Sequence, residues 1–451
     1  MSGTLLYHST RDASPAVPLS QAIAAGLAPD GGLYVPSALP HLDPASFDPN
    51  GTLADTATTL LAPFFVGDPL ASQLAAICVE AFTFDAPLRP LPAHPNTLML
   101  ELFHGPTSAF KDFGARFLAA CVRRLPRSGS QPLTILVATS GDTGAAVGAA
   151  FHQHANAPAS GELTAAASNF DVRVVILYPD GKVSPRQAHQ LGSFGDNVSA
   201  LRVAGRFDDC QRMVKAALND PALRLQVPLS SANSISLGRL LPQMSYYAHA
   251  ALGWWREHGT ALNFIVPTGN LGNGLACLWA RQVGLPIGEV RLACNANATL
   301  SDYFAGGVYT PRQAITTVAN AMDVGAPSNF ERLCWTFPDE VQRRQLLHAS
   351  SIDDLTIRTT IQQHARDHGE VFCPHTATAM RVLDHLREAG DQRSWAVVAT
   401  AHPAKFETVL EPLLGHALAV PTALAIMLAR PSRAEALATT DAALHDWLLR
   451  P

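Results

Sequence analysis

The sequence has no two cysteines spaced as a Cys-x-x-Cys pair. Its seven cysteines, Cys78, Cys121, Cys210, Cys277, Cys294, Cys334 and Cys373, are scattered along 451 residues. That spacing argues against a disulfide framework and against a zinc cluster, so a reduced, cytoplasmic protein without a metal site is expected. Charge is scarce as well. Charged residues make up 15% of the chain and the formal net charge is −5, which gives no electrostatic case for nucleic acid as the main partner. No apolar run reaches the roughly 18 residues that a membrane span requires. The opening MSGTLLYHSTRDAS lacks the basic and then apolar pattern of a signal peptide. P-loop, dinucleotide fingerprint, internal repeat and low-complexity tract are all missing.

What remains is apolar. Hydrophobic residues account for 47% of the chain, enough for two or three packed domains. Residues 1–90 are rich in turns, as in GLAPDGGLYVPSALP, and the proline-rich 85–95 reads as a linker. From there strand-like and helix-like segments alternate. NTLMLELF precedes the helical KDFGARFLAACVRRL, and LTILVATS precedes the helical AAVGAAFHQHA. DVRVVILYPDG, ALNFIVPTGN, VRLACNAN and SWAVVATAHPAKF continue the pattern. The alternation predicts an α/β fold of mostly parallel twisted sheets covered by helices, with ligands at the carboxyl ends of the strands. The polar, alanine-rich 154–169 is expected to be a surface loop, and 426–451 a C-terminal helical segment.

One lysine stands out in HGPTSAFKDFGARF (104–117). Phe110, Phe113, Phe117 and Cys121 recur at helical spacing, so they predict a buried stripe with Lys111 in its first turn. Thr107 and Ser108 are placed to cap that helix. A cation at the positive end of a helix, among apolar side chains, has its pKa lowered, and a neutral amine is a nucleophile suited to a Schiff base. Taken alone, the same lysine could be an ordinary surface residue. Two glycine turns, ATSGDTGAA (138–146) and VPTGNLGNG (266–274), each join an apolar strand to a helix and can turn backbone N–H groups toward an anion. Taken singly, each is also an ordinary strand-to-helix connection. SSANSISLGRLLPQ offers Asn233, Ser234 and Arg239, donors suited to a phosphate. Thr400 closes an apolar strand. Two anion cradles without a nucleotide motif suggest a phosphorylated cofactor and an anionic substrate.

In combination these segments resemble pyridoxal-phosphate (PLP) enzymes of the tryptophan-synthase-β fold type, and within them the threonine synthase family. The likeness runs in order along nearly the whole chain, through GLAPDGGLYVP, HGPTSAFKDFG, TSGDTG, SANSISLGRLLPQ, PTGNLGN, AMDVGAPSNFERL, CPHTATA and TAHPAKF. It is nearest to the longer class with an N-terminal extension. The resemblance implies an extension over 1–90, a catalytic region of two α/β subdomains over 91–425 with the site between them, and the helical segment 426–451. It implies that Lys111 carries PLP, that Gly269, Asn270, Leu271, Gly272 and Asn273 cradle its phosphate, and that Thr400 faces its ring nitrogen. Asp142 falls where shorter relatives place an asparagine facing the ring hydroxyl. Thr139, Ser140 and Thr143 would hold the substrate carboxylate or nearby groups, and Asn233, Ser234 and Arg239 the substrate phosphate. Leu271 and Cys373 depart from the family's common Phe and Asp.

The activity so implied is that of a PLP-dependent carbon–oxygen lyase acting on phosphates. O-phospho-L-homoserine and water would give L-threonine and phosphate, with the protein a monomer or homodimer. Two alternatives share much of the same sequence signal. One is a phospho-lyase releasing 2-oxobutyrate and ammonia, and the other a PLP-binding protein without catalysis.

Overall fold

Apolar runs bounded by turns become strands buried on both faces, as parallel sheets require. The computed structural model describes residues 4–126, 131–152 and 172–450; the expected surface loop 154–169 lies outside the described residues. In chain order the strands are β1 (Tyr7–Ser9), β2 (Tyr34–Pro36), β3 (Leu88–Pro90), β4 (Thr97–Glu101), β5 (Leu133–Ala138), β6 (Val172–Pro179) and β7 (Val198–Val203). They continue with β8 (Leu229–Ser231), β9 (Leu262–Pro267), β10 (Ile287–Cys294), β11 (Leu347–Ser351), β12 (Trp395–Ala399) and β13 (Glu435–Leu437).

Two larger sheets follow the β1–β2 pair. The larger has the order β11-β10-β9-β12-β4-β3, and the smaller β13-β7-β6-β5-β8. Every neighbour pair is parallel except β3 with β4. β12 sits at the centre of the larger sheet, in register with β4 from Trp395 opposite Thr97 to Ala399 opposite Glu101. Its side chains are fully buried or nearly so, which is why SWAVVA reads as a continuous apolar run. The buried side chains of the described residues form three clusters, and Phe65, Phe82, Phe113, Phe117 and Tyr246 make the aromatic centre of the largest.

Two segments differ from the sequence reading. The proline-rich 85–95 holds β3, an antiparallel edge strand. Pro90 is tolerated there because an edge strand need not donate on its outer side. At the C-terminus, the helices Thr422–Leu428 and Asp441–Leu448 flank β13, which extends the smaller sheet beside β7. Arg173 fastens this tail, donating to the Leu448 carbonyl at 2.9 Å with its guanidinium over the Trp447 ring. Among the described residues no helix is long and apolar enough to cross a membrane.

Candidate active site

The helix Lys111–Arg124 buries Phe113, Phe117 and Cys121 completely, as the spacing predicted, whereas Phe110, the first of the expected stripe, precedes the helix and is half-buried. Its start is built differently from the expectation. Phe110 occupies the cap position with helical backbone and no side-chain cap. Thr107 instead donates through both its N–H and its hydroxyl to the carboxylate of Asp112, at 2.9 and 2.7 Å. Gly105 makes that possible, because a Cβ there would lie 2.4 Å from Asp112 Oδ2. The strap 108–110 is pinned to the end of β12: Phe110 N–H donates to the Thr400 carbonyl at 2.8 Å and His402 N–H to that of Ser108 at 3.0 Å. Lys111 and Thr400 are thereby set side by side by backbone bonds.

Lys111 Nζ lies 4.3 Å from the centre of the Phe110 ring. Among the described residues it has no carboxylate partner. The side chain keeps some exposure on the cleft wall, yet protein surrounds it closely on the wider scale that governs desolvation. Burial, followed by the nearby charge of Arg239, lowers its pKa from 10.5 to about 8, against a smaller opposing pull from Asp142. Arg239 packs over Gly114 of the same helix, where a Cβ would meet its Nε at 3.0 Å. Its Nη1 donates to the Ala232 carbonyl, while the buried Nε has no partner.

Two further helices begin on the wall of the same cleft. The helix Gly272–Gln282 begins after Leu271, which holds a left-handed backbone with φ +62° and offers no side-chain cap. Gly269 passes so close to Met322 that a Cβ would lie 2.7 Å from its Cα. Asn273 accepts from the hydroxyls of Tyr246 and Tyr247, both at 2.7 Å, which leaves its buried Nδ2 without a partner. The helix Asp142–Phe151 follows Gly141 at φ +133°. Thr139 Oγ1 accepts from the N–H groups of Gly141 and Gly144, at 3.0 and 2.9 Å. The N–H groups of Asp142 and Thr143 are left uncommitted, and Ser140 and Thr143 have no side-chain bond among the described residues. Asn270 ties the turn before Gly272 to two other segments: its Nδ2 donates to Ser234 Oγ at 2.7 Å and its Oδ1 accepts from Ser328 N–H at 2.6 Å.

Behind the cleft lies a buried charge pair that the sequence reading did not single out. Lys405 is fully buried, 2.8 Å from Asp142 Oδ1, and donates to the Thr107 carbonyl at 2.7 Å. Burial alone would raise the pKa of Asp142, but Lys405 and the Gln187 amide at 3.1 Å outweigh it and hold the carboxyl below its usual range. The same turn is tied to the smaller sheet's side, where Ser184 Oγ donates to the Lys405 carbonyl at 2.8 Å. His375, also buried, accepts at Nε2 from Ala321 N–H at 3.0 Å, so its proton sits on Nδ1. Burial pushes its pKa down to about 4. Cys373 takes the cap position of helix Pro374–Glu388, its Sγ accepting from Thr376 N–H at 3.4 Å. That explains why an Asp suits the position elsewhere, since Asp is among the strongest cap residues.

All the residues predicted for the site line one cleft, at the carboxyl ends of β5, β8, β9 and β12. Lys405 could have been found by the signal that exposed Lys111, a lone lysine beside phenylalanine in an apolar turn. Gln187 and His375 carried no such mark.

Known proteins converge on the same arrangement. The N-terminal region of threonine synthases matches residues 6–82, the pyridoxal-phosphate-dependent enzyme family 160–404, and the threonine synthase C-terminal region 376–447. Threonine synthase of Serratia marcescens is 36% identical, with 98% of each chain aligned. That of Escherichia coli is 35% identical over 98% of this chain and 99% of its own. The crystal structure of the Escherichia coli enzyme superposes with a TM-score of 0.87 at 34% identity, covering 98% of this chain and 99% of that one. A PLP-bound threonine synthase from Brucella melitensis gives 0.83 at 32%, covering 99% of both chains. The chain therefore belongs to the threonine synthase family of pyridoxal-phosphate-dependent enzymes.

Proposed function

We propose that this cleft converts O-phospho-L-homoserine and water to L-threonine and phosphate, with Lys111 as the residue that carries PLP. The observation that carries the reading is that two uncapped helix N-termini and Lys111 line one cleft. One N-terminus suits the cofactor phosphate. There the Gly269–Asn273 turn presents free N–H groups and the orphaned Nδ2 of Asn273. The other, at Ser140, Asp142 and Thr143, suits the substrate carboxylate, and Thr139 contributes by holding that turn in place. Asn233, Ser234 and Arg239 are the donors for the substrate phosphate, with the unpartnered Nε of Arg239 supporting that role.

PLP supplies the electron sink that makes the substrate's carbon-bound protons removable. The chain's own groups supply position and protons. With a pKa near the working pH, Lys111 Nζ can both take and return a proton, as a general acid–base must. Thr400 offers an uncharged hydroxyl beside it. Asp142, kept ionised by Lys405, places a negative charge at a fixed point on the cleft wall. Neutral His375 holds the 321 strap over the site without adding charge. Seven free cysteines, six of them buried, are in keeping with a reducing, cytoplasmic setting. Reductive trapping of the bound cofactor followed by peptide mapping tests the assignment. Label on the 104–117 peptide at Lys111 is expected, and label on Lys405 or elsewhere would overturn it.

A further inference from the structure

Away from the cleft, three imidazoles crowd together on the larger sheet's side. His364 and His368 lie one turn apart at the end of helix Asp354–His368, and His94 comes from the β3–β4 loop. Ring centres are 4.9 Å apart for His94 and His364, and 4.7 Å for His94 and His368. One nitrogen from each ring lies within 4.8 Å of the others. The cavity they line shares no residue with the catalytic cleft.

Two further observations point to a ligand. His364 is 5% exposed, and its Nε2 meets Asp384 Oδ2 at 3.3 Å, while its buried Nδ1 has no partner. The Asp384 bond places the proton on Nε2 and leaves the Nδ1 lone pair free. A carboxylate orienting a histidine in this way is the usual outer partner of a metal ligand. His94 Nε2 and Glu370 Oε2 stand 3.2 Å apart, both buried, yet neither has a hydrogen-bond partner of proper geometry. At that distance they make an ion pair when His94 is protonated. Of the nearby guanidinium groups, Arg381 pairs with Glu388 at 2.8 Å and more loosely with Asp384 Oδ2 at 3.9 Å, while Arg387 donates to the carbonyls of Asp391, Arg393, Pro95 and Asn96.

We propose that His94, His364 and His368 form a site for a divalent transition metal of the zinc type, with its fourth position open to water. Three imidazoles with an open fourth position match a donor set that Zn2+ takes in tetrahedral geometry. At a metal–nitrogen distance of about 2.0–2.1 Å the nitrogens come to about 3.3 Å apart, so the rings close in by about an ångström on loading. Exposed His368 is the mobile ligand and the entry side. The ion would tie the β3–β4 loop to the end of helix Asp354–His368. The 369–373 turn that follows leads into helix Pro374–Glu388, which carries His375 into the catalytic cleft and Asp384 into the metal site. The site is a clamp and takes no part in the reaction.

The test is Zn2+ uptake by the holoenzyme after chelator treatment and gel filtration, with bound metal quantified by atomic emission. Wild type should retain one Zn2+ per chain. His364→Ala/His368→Ala should retain none, and Asp384→Asn should bind about 10–100-fold more weakly. His94→Ala, a loop change that serves as the folding control, should also lose the ion while keeping basal activity. Added Zn2+ should raise the thermal midpoint of wild type but not of the histidine variants. No retained Zn2+ in wild type, or equal retention in wild type and the histidine variants, would overturn the proposal.

Discussion

Replacing Lys111 by methionine should make the cofactor-free protein more stable at neutral pH. The native fold lowers this lysine from 10.5 to about 8 because burial, and then Arg239, disfavour its ammonium. Below pH 8 the amine is protonated in both folded and unfolded chains, and the fold bears the whole cost. Each tenfold is about 1.4 kcal/mol, so that cost is about 3 kcal/mol at pH 7. Between pH 8 and 10.5 the unfolded chain keeps the proton that the native state has released. The unfolded state then binds more protons, and native stability rises with pH. The advantage of Lys111→Met should therefore shrink, to about 2 kcal/mol at pH 9 and under about 1 kcal/mol at pH 10. Methionine has similar reach and packs readily against Phe110. Urea titrations of the cofactor-stripped wild type and variant, at several pH values, give the comparison through their midpoints. A variant that is less stable at pH 7, or a gain that ignores pH, would refute the argument that Lys111 is a strained, activated amine.

Lys405→Met should cost about 3–5 kcal/mol by leaving Asp142 buried without its cation, and Asp142→Asn in the same chain should recover part of it; additive losses in denaturation midpoints would contradict a direct pair. Arg239→Met should raise KM for phosphohomoserine about tenfold or more, a charge-assisted bond being worth about 1.5–3 kcal/mol. The Lys111-dependent limb of the pH–rate profile should also move upward, and an unchanged KM would remove Arg239 from the site. Gly269→Ala sets a Cβ 2.7 Å from Met322 Cα, and overpacking of that kind costs about 1–3 kcal/mol. Cofactor affinity, read by absorbance titration, should fall accordingly, and an unaltered affinity would contradict the tight cradle.

Much of this architecture was legible because its signals are local. Strands such as LTILVA and SWAVVA are apolar from end to end since both faces are covered, and each is followed by the small residues that its turn requires. Lys111 drew notice as a lone cation between aromatic residues, and its lowered pKa follows from that setting. The missing parts depend on distant residues. Lys405 matters because the fold brings it to Asp142, and His375 because the 321 strap crosses it. Asp112 captures Thr107 only because Gly105 leaves room, so the expected Thr107 and Ser108 cap gave way to a carboxylate reaching backward. β13 is three residues long, too short for any periodicity to register. The His364 and His368 spacing was visible, but its third partner, His94, lies far upstream, and cysteine-based spacing rules pass over such a set.

The central claim is that the cleft around Lys111 turns phosphohomoserine and water into threonine and phosphate. The most direct test is to incubate the purified holoenzyme with O-phospho-L-homoserine and to quantify threonine, phosphate, 2-oxobutyrate and ammonia together, with Lys111→Ala as the blank. Threonine and phosphate in equal amounts, absent from the blank, are the predicted result. Phosphate accompanied by 2-oxobutyrate and ammonia without threonine, or no turnover of phosphohomoserine at all, would contradict it.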